Sequence, residues 1–115
     1  MTLHGIPNCT TVKKARAWLA EQGHDVAFHD FKKSGVDAAW LKRVAAQTGW
    51  QALLNIRGTT WRGLSPAEQA TAGTEAGALA LMQAKPSLIK RPVLERGDQV
   101  VLGFSDAQYH AVFHP

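Results

Sequence analysis

Leu3-His4-Gly5-Ile6-Pro7-Asn8-Cys9-Thr10-Thr11-Val12-Lys13-Lys14-Ala15 decides how this chain folds, and it holds the only cysteine. Residues 2–6 read as a short apolar strand, Pro7-Asn8 as a turn, and an amphipathic helix starts near Thr10. Cys9 is therefore expected where a strand gives way to a helix. A helix start offers unpaired N–H groups and the positive end of the backbone dipole, both of which favour an anion. Thiolate is the reactive form of cysteine, and helix N-termini with nearby cations lower its pKa from about 8.5 to roughly 3.5–7.5. Lys13, Lys14 and, behind them, Arg16 add positive charge to a helix end that ordinarily prefers acidic residues. A lone cysteine is more often a small buried hydrophobe. Here the turn, the helix start and the basic residues together favour a reactive thiol.

Outward from this stretch, Val12, Ala15, Trp18 and Leu19 recur at helical spacing, while Lys13, Lys14 and Ala17 fall on the other side. The helix should run to about Gln22, with Gly23 as its left-handed cap. Residues 25–31 then set Val26 and Phe28 against Asp25, Ala27 and His29, the pattern of a strand with one apolar face. Strand, helix and strand make a βαβ unit with parallel strands. Cys9 then lies at the carboxyl end of the first strand, where α/β sheets bind ligands.

Beyond Lys32 the texture is helical. Residues 36–47 carry Val36, Trp40, Leu41 and Val44 on one stripe, and residues 50–54 read as a short helical turn. Residues 53–62 are polar and interrupted by Gly58, which predicts a loop; alone, its Asn55, Arg57 and Arg62 read as solvated surface. Ser65-Pro66-Ala67-Glu68 supplies a cap, a proline at the first helical position and a glutamate at the third, so a helix begins there. Residues 74–84 give another, stopped before Pro86. Sheet returns with residues 87–95 and 99–103, read as an antiparallel hairpin joined by Arg96-Gly97-Asp98. Ser105 or Asp106 can cap a last helix through Phe113. The expected architecture is a single α/β domain over residues 1–115, ordered β-α-β, helical insertion at about 33–85, then β-β-α.

Composition narrows the class. Hydrophobic residues make up 45% and charged residues 19%, which excludes a disordered chain. One cysteine forms no internal disulfide, the opening residues lack the basic and apolar regions of a signal peptide, and no apolar run reaches membrane-spanning length. A cytoplasmic location without membrane association is expected. The net charge of +4 suits an anionic partner, but the lysines and arginines are scattered in ones and twos with no aromatic interleaving, so nucleic acid is not expected.

Several separated motifs give the chain a specific likeness. Pro7-Asn8-Cys9, Ala15-Arg16-Ala17-Trp18-Leu19, Asn55-Ile56-Arg57-Gly58 and Ile89-Lys90-Arg91-Pro92 follow one another in the order found in the arsenate reductase/Spx family. With Gly58-Thr59-Thr60-Trp61-Arg62 and Leu102-Gly103-Phe104-Ser105-Asp106, the chain most resembles the branch called YffB. The resemblance implies a thioredoxin-like fold with a mixed sheet. It implies Cys9 as nucleophile and Arg91 as the arginine before the cis-proline, here Pro92. Arg91 would then act as a charged donor toward an oxyanion, a carboxylate or the thiolate.

Departures from the family pattern sharpen the expectation. Arsenate reductases of this type carry two further arginines in the anion site, and those positions are held here by Asn55 and Gly103, so binding of an arsenate-like oxyanion should be weakened. Spx regulators, which bind RNA polymerase, commonly have a second cysteine where this chain has Val12, so an internal redox switch is excluded. What remains is chemistry by one thiol. A mixed disulfide on Cys9 needs an external thiol for release, and glutathione is the expected co-substrate, with no bound cofactor. The first reading is a glutathione-dependent thiol reductase acting on a small-molecule or protein disulfide. In it Cys9 and Arg91 are catalytic, while Asn8, Thr10, Thr11, Asn55, Arg57 and Pro92 bind substrate. The second reading is an Spx-like regulator that binds protein without catalysis, or a weak arsenate reductase. His110 and His114, four apart near the chain end, are read as dipole-favoured histidines and not as metal ligands.

Overall fold

The computed structural model describes residues 1–115 and forms two compact units, one of Met1–Phe31 with Arg91–Pro115 and one of Lys32–Lys90. In chain order the elements are β1 (Thr2–Gly5), α1 (Thr10–Glu21), β2 (Ala27–Asp30), α2 (Phe31–Ser34), α3 (Ala38–Thr48), α4 (Trp50–Leu53) and α5 (Thr59–Arg62). They continue with α6 (Pro66–Thr71), α7 (Glu75–Ala84), a 3₁₀ turn (Pro86–Leu88), β3 (Val93–Arg96), β4 (Gln99–Leu102) and α8 (Asp106–Phe113). No helix is long and apolar enough to cross a membrane.

The first unit is built on a four-stranded mixed sheet of order β2-β1-β3-β4. β1 pairs in parallel with β2, Leu3 opposite Phe28, and antiparallel with β3, Leu3 opposite Leu94 and His4 opposite Val93. With helices interleaved around it, this is a thioredoxin-like α/β fold. One sheet face carries Leu3, Leu94 and Val101 into a core shared with Val12, Ala15 and Leu19 of α1 and Tyr109 of α8. Alternation sends His4 to the other face, where its Nε2 meets Glu95 Oε1 at 2.7 Å. The stripe expected on α1 is the stripe observed, with Trp18 half-buried and packed edge-on to Tyr109 at 5.5 Å between centroids.

The second unit is helical. α3 packs on α4 and α7, burying Leu41, Val44, Ala78 and Met82. Asp37 caps α3 by accepting from the Trp40 amide, Ser65 and Glu68 form a reciprocal capping box on α6, and Thr74 caps α7. α3 thus starts at Ala38, two residues later than the apolar stripe suggested, because Asp37 takes the cap.

Four segments depart from the sequence expectation. The 53–62 stretch is not wholly a loop: Asn55 Oδ1 accepts the Arg57 amide at 3.1 Å in a tight turn, and Thr59–Arg62 is a single helical turn. The strand expected over 87–95 is reduced to Val93–Arg96, since Pro86 starts a 3₁₀ turn and Ile89 only bridges to Leu54. β2 is likewise confined to Ala27–Asp30, with Phe31 opening α2. Finally, Arg96 pairs with Gln99, so the hairpin turn is the two residues Gly97 and Asp98. Gly97 takes φ +59, the conformation that a II′ turn demands at its first central position.

Candidate active site

Cys9 follows the turn after β1. Its amide donates to the Ile6 carbonyl at 3.1 Å, closing the turn, and its own carbonyl accepts the Lys13 amide at 2.9 Å, opening α1. Cys9 is thus the N-cap residue, with extended backbone at φ −77 and ψ 126. The N–H groups of Thr10, Thr11 and Val12, first to third in the helix, have no carbonyl one turn back to bond. As a thiol Cys9 makes no capping hydrogen bond. As an anion it gains donors: burial of the sulfur, the largest single influence, pushes the pKa up, but the Val12 N–H, a hydrogen bond from Arg91, the Thr11 N–H and the Arg91 charge outweigh it. The pKa therefore stands below that of an ordinary thiol.

Arg91 comes from the far end of the chain. The register that sets His4 opposite Val93 lays the carboxyl end of β1 beside the amino end of β3. Arg91, half-buried, is two residues before β3, and the Arg91–Pro92 peptide is cis. Pro92 is buried, has no N–H, and its carbonyl accepts the Gly103 amide at 2.9 Å.

Of the residues expected in the site, Cys9, Thr11 and Arg91 come together. Thr10 stands exposed in the first turn, Asn8 is an exposed turn residue, and Pro92, next to Arg91 in the chain, is buried. Asn55 and Arg57 belong to the helical unit, where they bond to each other and the Asn55 amide donates to Leu88 O at 2.7 Å. The lysines do not have the role their position suggested. Lys13 and Lys14 are exposed and are not among the groups acting on the sulfur, and the Arg16 guanidinium stacks on Phe28 at 4.2 Å. Positive charge reaches Cys9 from Arg91 instead. Val12 was legible only as core, yet its main chain serves the site while its side chain is fully buried. Its third place in the helix, within reach of an N-cap acceptor, was the available signal. No group of three or more His, Cys, Asp or Glu side chains converges as a metal site; the His110 and His114 rings pack tilted at 42°, with centroids 4.7 Å apart.

The ArsC family model matches residues 4–112. The chain belongs to the ArsC family. An uncharacterised protein of Haemophilus influenzae is 39% identical over 114 residues, 98% of each chain. The global transcriptional regulator Spx of Streptococcus mutans is 28% identical over 115 residues, covering 96% of this chain and 81% of that one. Among solved structures, a YFFB protein shares 48% identity over 96% of both chains with a TM-score of 0.90. An arsenate reductase related protein from Brucella melitensis shares 47% identity over 99% of this chain and 94% of that one, with a TM-score of 0.78. The family therefore includes both reductases and regulators, in keeping with the ArsC/Spx likeness of the motifs. Within this ArsC-family chain, Gly103 is buried at φ +74, a left-handed conformation that favours glycine.

Proposed function

We propose that the chain is a glutathione-dependent thiol reductase working through Cys9 alone. The observation that carries this reading is the convergence of the Arg91 guanidinium and the Thr11 and Val12 amides on the only thiol, which favours its nucleophilic form. The Cys9 thiolate attacks the glutathione sulfur of a mixed disulfide R–S–S–G; the Cys9–glutathione disulfide forms as the S–S bond of R–S–S–G breaks, and the released R–S⁻ takes a proton from solvent. A second glutathione thiolate then attacks the glutathione sulfur held on Cys9, releasing oxidised glutathione and restoring the Cys9 thiolate. The net exchange is R–S–S–G plus GSH giving R–SH plus GSSG, so no second cysteine is required.

In this reading Arg91 also meets a glutathione carboxylate, and Asn8, Thr10 and Thr11 line the approach to the thiol while Pro92 packs beside it. Asn55 and Arg57 enter the reading through the family resemblance. A reducing cytoplasm would supply the glutathione. The test is to incubate the chain with cysteine–glutathione mixed disulfide, follow a glutathione adduct on Cys9 by mass spectrometry, and then add reduced glutathione and measure oxidised glutathione. Adduct formation and turnover, both absent in Cys9→Ser, are expected. An ordinary thiol pKa with no adduct would overturn the reading and leave protein binding without catalysis, as in an Spx-like contact with RNA polymerase.

A further inference from the structure

Gly5 closes β1 and is buried under the first turn of α1. A Cβ built on it would lie 2.8 Å from Val12 Cγ2 and 3.3 Å from Cγ1. The first distance is one that real carbon contacts do not reach, so either the helix start or the Val12 side chain would have to move. Val12 has nowhere to turn: it is fully buried among Leu3, Ala15, Leu19 and Leu94. A β-branched side chain in a helix also has one strongly preferred rotamer. The displacement therefore falls on the backbone of the turn that follows Cys9.

We propose that Gly5 is a positioning residue for Cys9: its missing side chain lets the first turn of α1 seat directly on the end of β1, which brings the Thr11 and Val12 amides onto the sulfur. The glycine is not required for conformational freedom, because Gly5 is not among the glycines with positive φ. What it supplies is close approach. The inference rests on the thiolate role of Cys9 and adds the residue, outside the helix itself, that sets the donor distance.

The test uses the single thiol as its own reporter. Alkylation by iodoacetamide, measured across pH, gives the Cys9 pKa without any assumption about substrate. In Gly5→Ala the thiol pKa should rise, with alkylation roughly three- to tenfold slower at a pH below both pKa values, where rate follows thiolate fraction. In Gly5→Ala/Val12→Ala the two clashing methyl groups are gone and the nearest Val12 atom, Cβ, stands at 3.7 Å, an ordinary contact. The depressed pKa should return. A folded Gly5→Ala chain with an unaltered pKa overturns the inference. So does a double variant that folds yet keeps the raised pKa, or one that fails to fold although the clash has been removed. Should Gly5→Ala alone not fold, a folded double variant with a depressed pKa supports the inference. An ordinary thiol pKa in the unsubstituted protein would instead count against the thiolate reading itself, so the two failures are distinct.

Discussion

Arg91, two residues ahead of β3, donates a hydrogen bond to the sulfur of Cys9 at the head of α1. The guanidinium supplies both a directional donor and a full charge, and hydrogen bonds to charged groups contribute more than neutral ones, about 1.5–3 kcal/mol. Arg91→Ala should therefore raise the Cys9 pKa and slow its alkylation below neutral pH by roughly tenfold, each pKa unit being about 1.4 kcal/mol. A lysine at 91 should recover part of the charge effect but not the planar donor geometry. Equal alkylation rates in the unsubstituted and Arg91→Ala chains would show that the helix-start amides act without it.

The same anion links stability to pH. Because the folded-state pKa of Cys9 lies below that of the unfolded thiol, the folded chain releases this proton first. The resulting stabilisation is absent below the folded pKa, grows between that value and about 8.5, and is complete above it. Urea unfolding under reducing conditions should thus show the unsubstituted chain gaining on Cys9→Ser through this window and no further. A difference that does not vary with pH would contradict the depressed pKa.

Tyr109 is the only tyrosine, fully buried, and its hydroxyl has no hydrogen-bond partner in the protein. Burial pushes its pKa well above the ordinary phenol value. Removing an unsatisfied buried hydroxyl relieves a desolvation cost, so Tyr109→Phe should unfold at higher urea, with a gain of about 1 kcal/mol. The raised pKa adds a second signature: the unfolded chain ionises first, so the unsubstituted protein should lose stability as pH rises above about 10 while Tyr109→Phe does not. Loss of stability in Tyr109→Phe at neutral pH would contradict the unpartnered hydroxyl.

Gly103 holds the Pro92 carbonyl through its amide while at φ +74. A side chain in that region costs roughly 1–2 kcal/mol. Gly103→Ala should lower the urea midpoint accordingly, and it should also disturb the placement of Arg91, seen as a raised Cys9 pKa. An arginine at this position should be at least as destabilising, so restoring that charge should not bring arsenate binding, which isothermal titration would check. Tight arsenate binding in Gly103→Arg would show that the loop accepts a side chain without strain.

Local chemistry was legible wherever the deciding atoms lie within a few residues. Ser65-Pro66-Ala67-Glu68 announced its helix, and the structure contains the full capping box. Ser105, one of two candidates, is the cap of α8 through the Gln108 amide at 3.0 Å. The strand before Cys9 and the stripe on α1 were likewise written in periodicity. Sequence and structure diverge where tertiary pairing overrides propensity. Ile89, apolar and β-branched, looked like strand, but Lys90 donates to Leu53 O at 2.8 Å and this one bridge is all the pairing available there.

The sequence by itself determined that Cys9 would stand alone at a helix start, with no second thiol and with free amides ahead of it, because caps and turns are set by neighbouring residues. It also determined the β-α-β and β-β-α ends and the helical stretch between them, since hydrophobic period follows element type. Only the tertiary structure decided which cation meets the thiol. Three basic residues lie close to Cys9 in the chain, yet two of them are exposed and the third stacks on Phe28, while Arg91 takes the place. The physical reason is register: pairing His4 with Val93 lays the end of β1 beside the start of β3, and no local pattern encodes that alignment. Tertiary packing likewise decided that Val12 would bury its side chain against the missing Cβ of Gly5 while lending its amide to the sulfur.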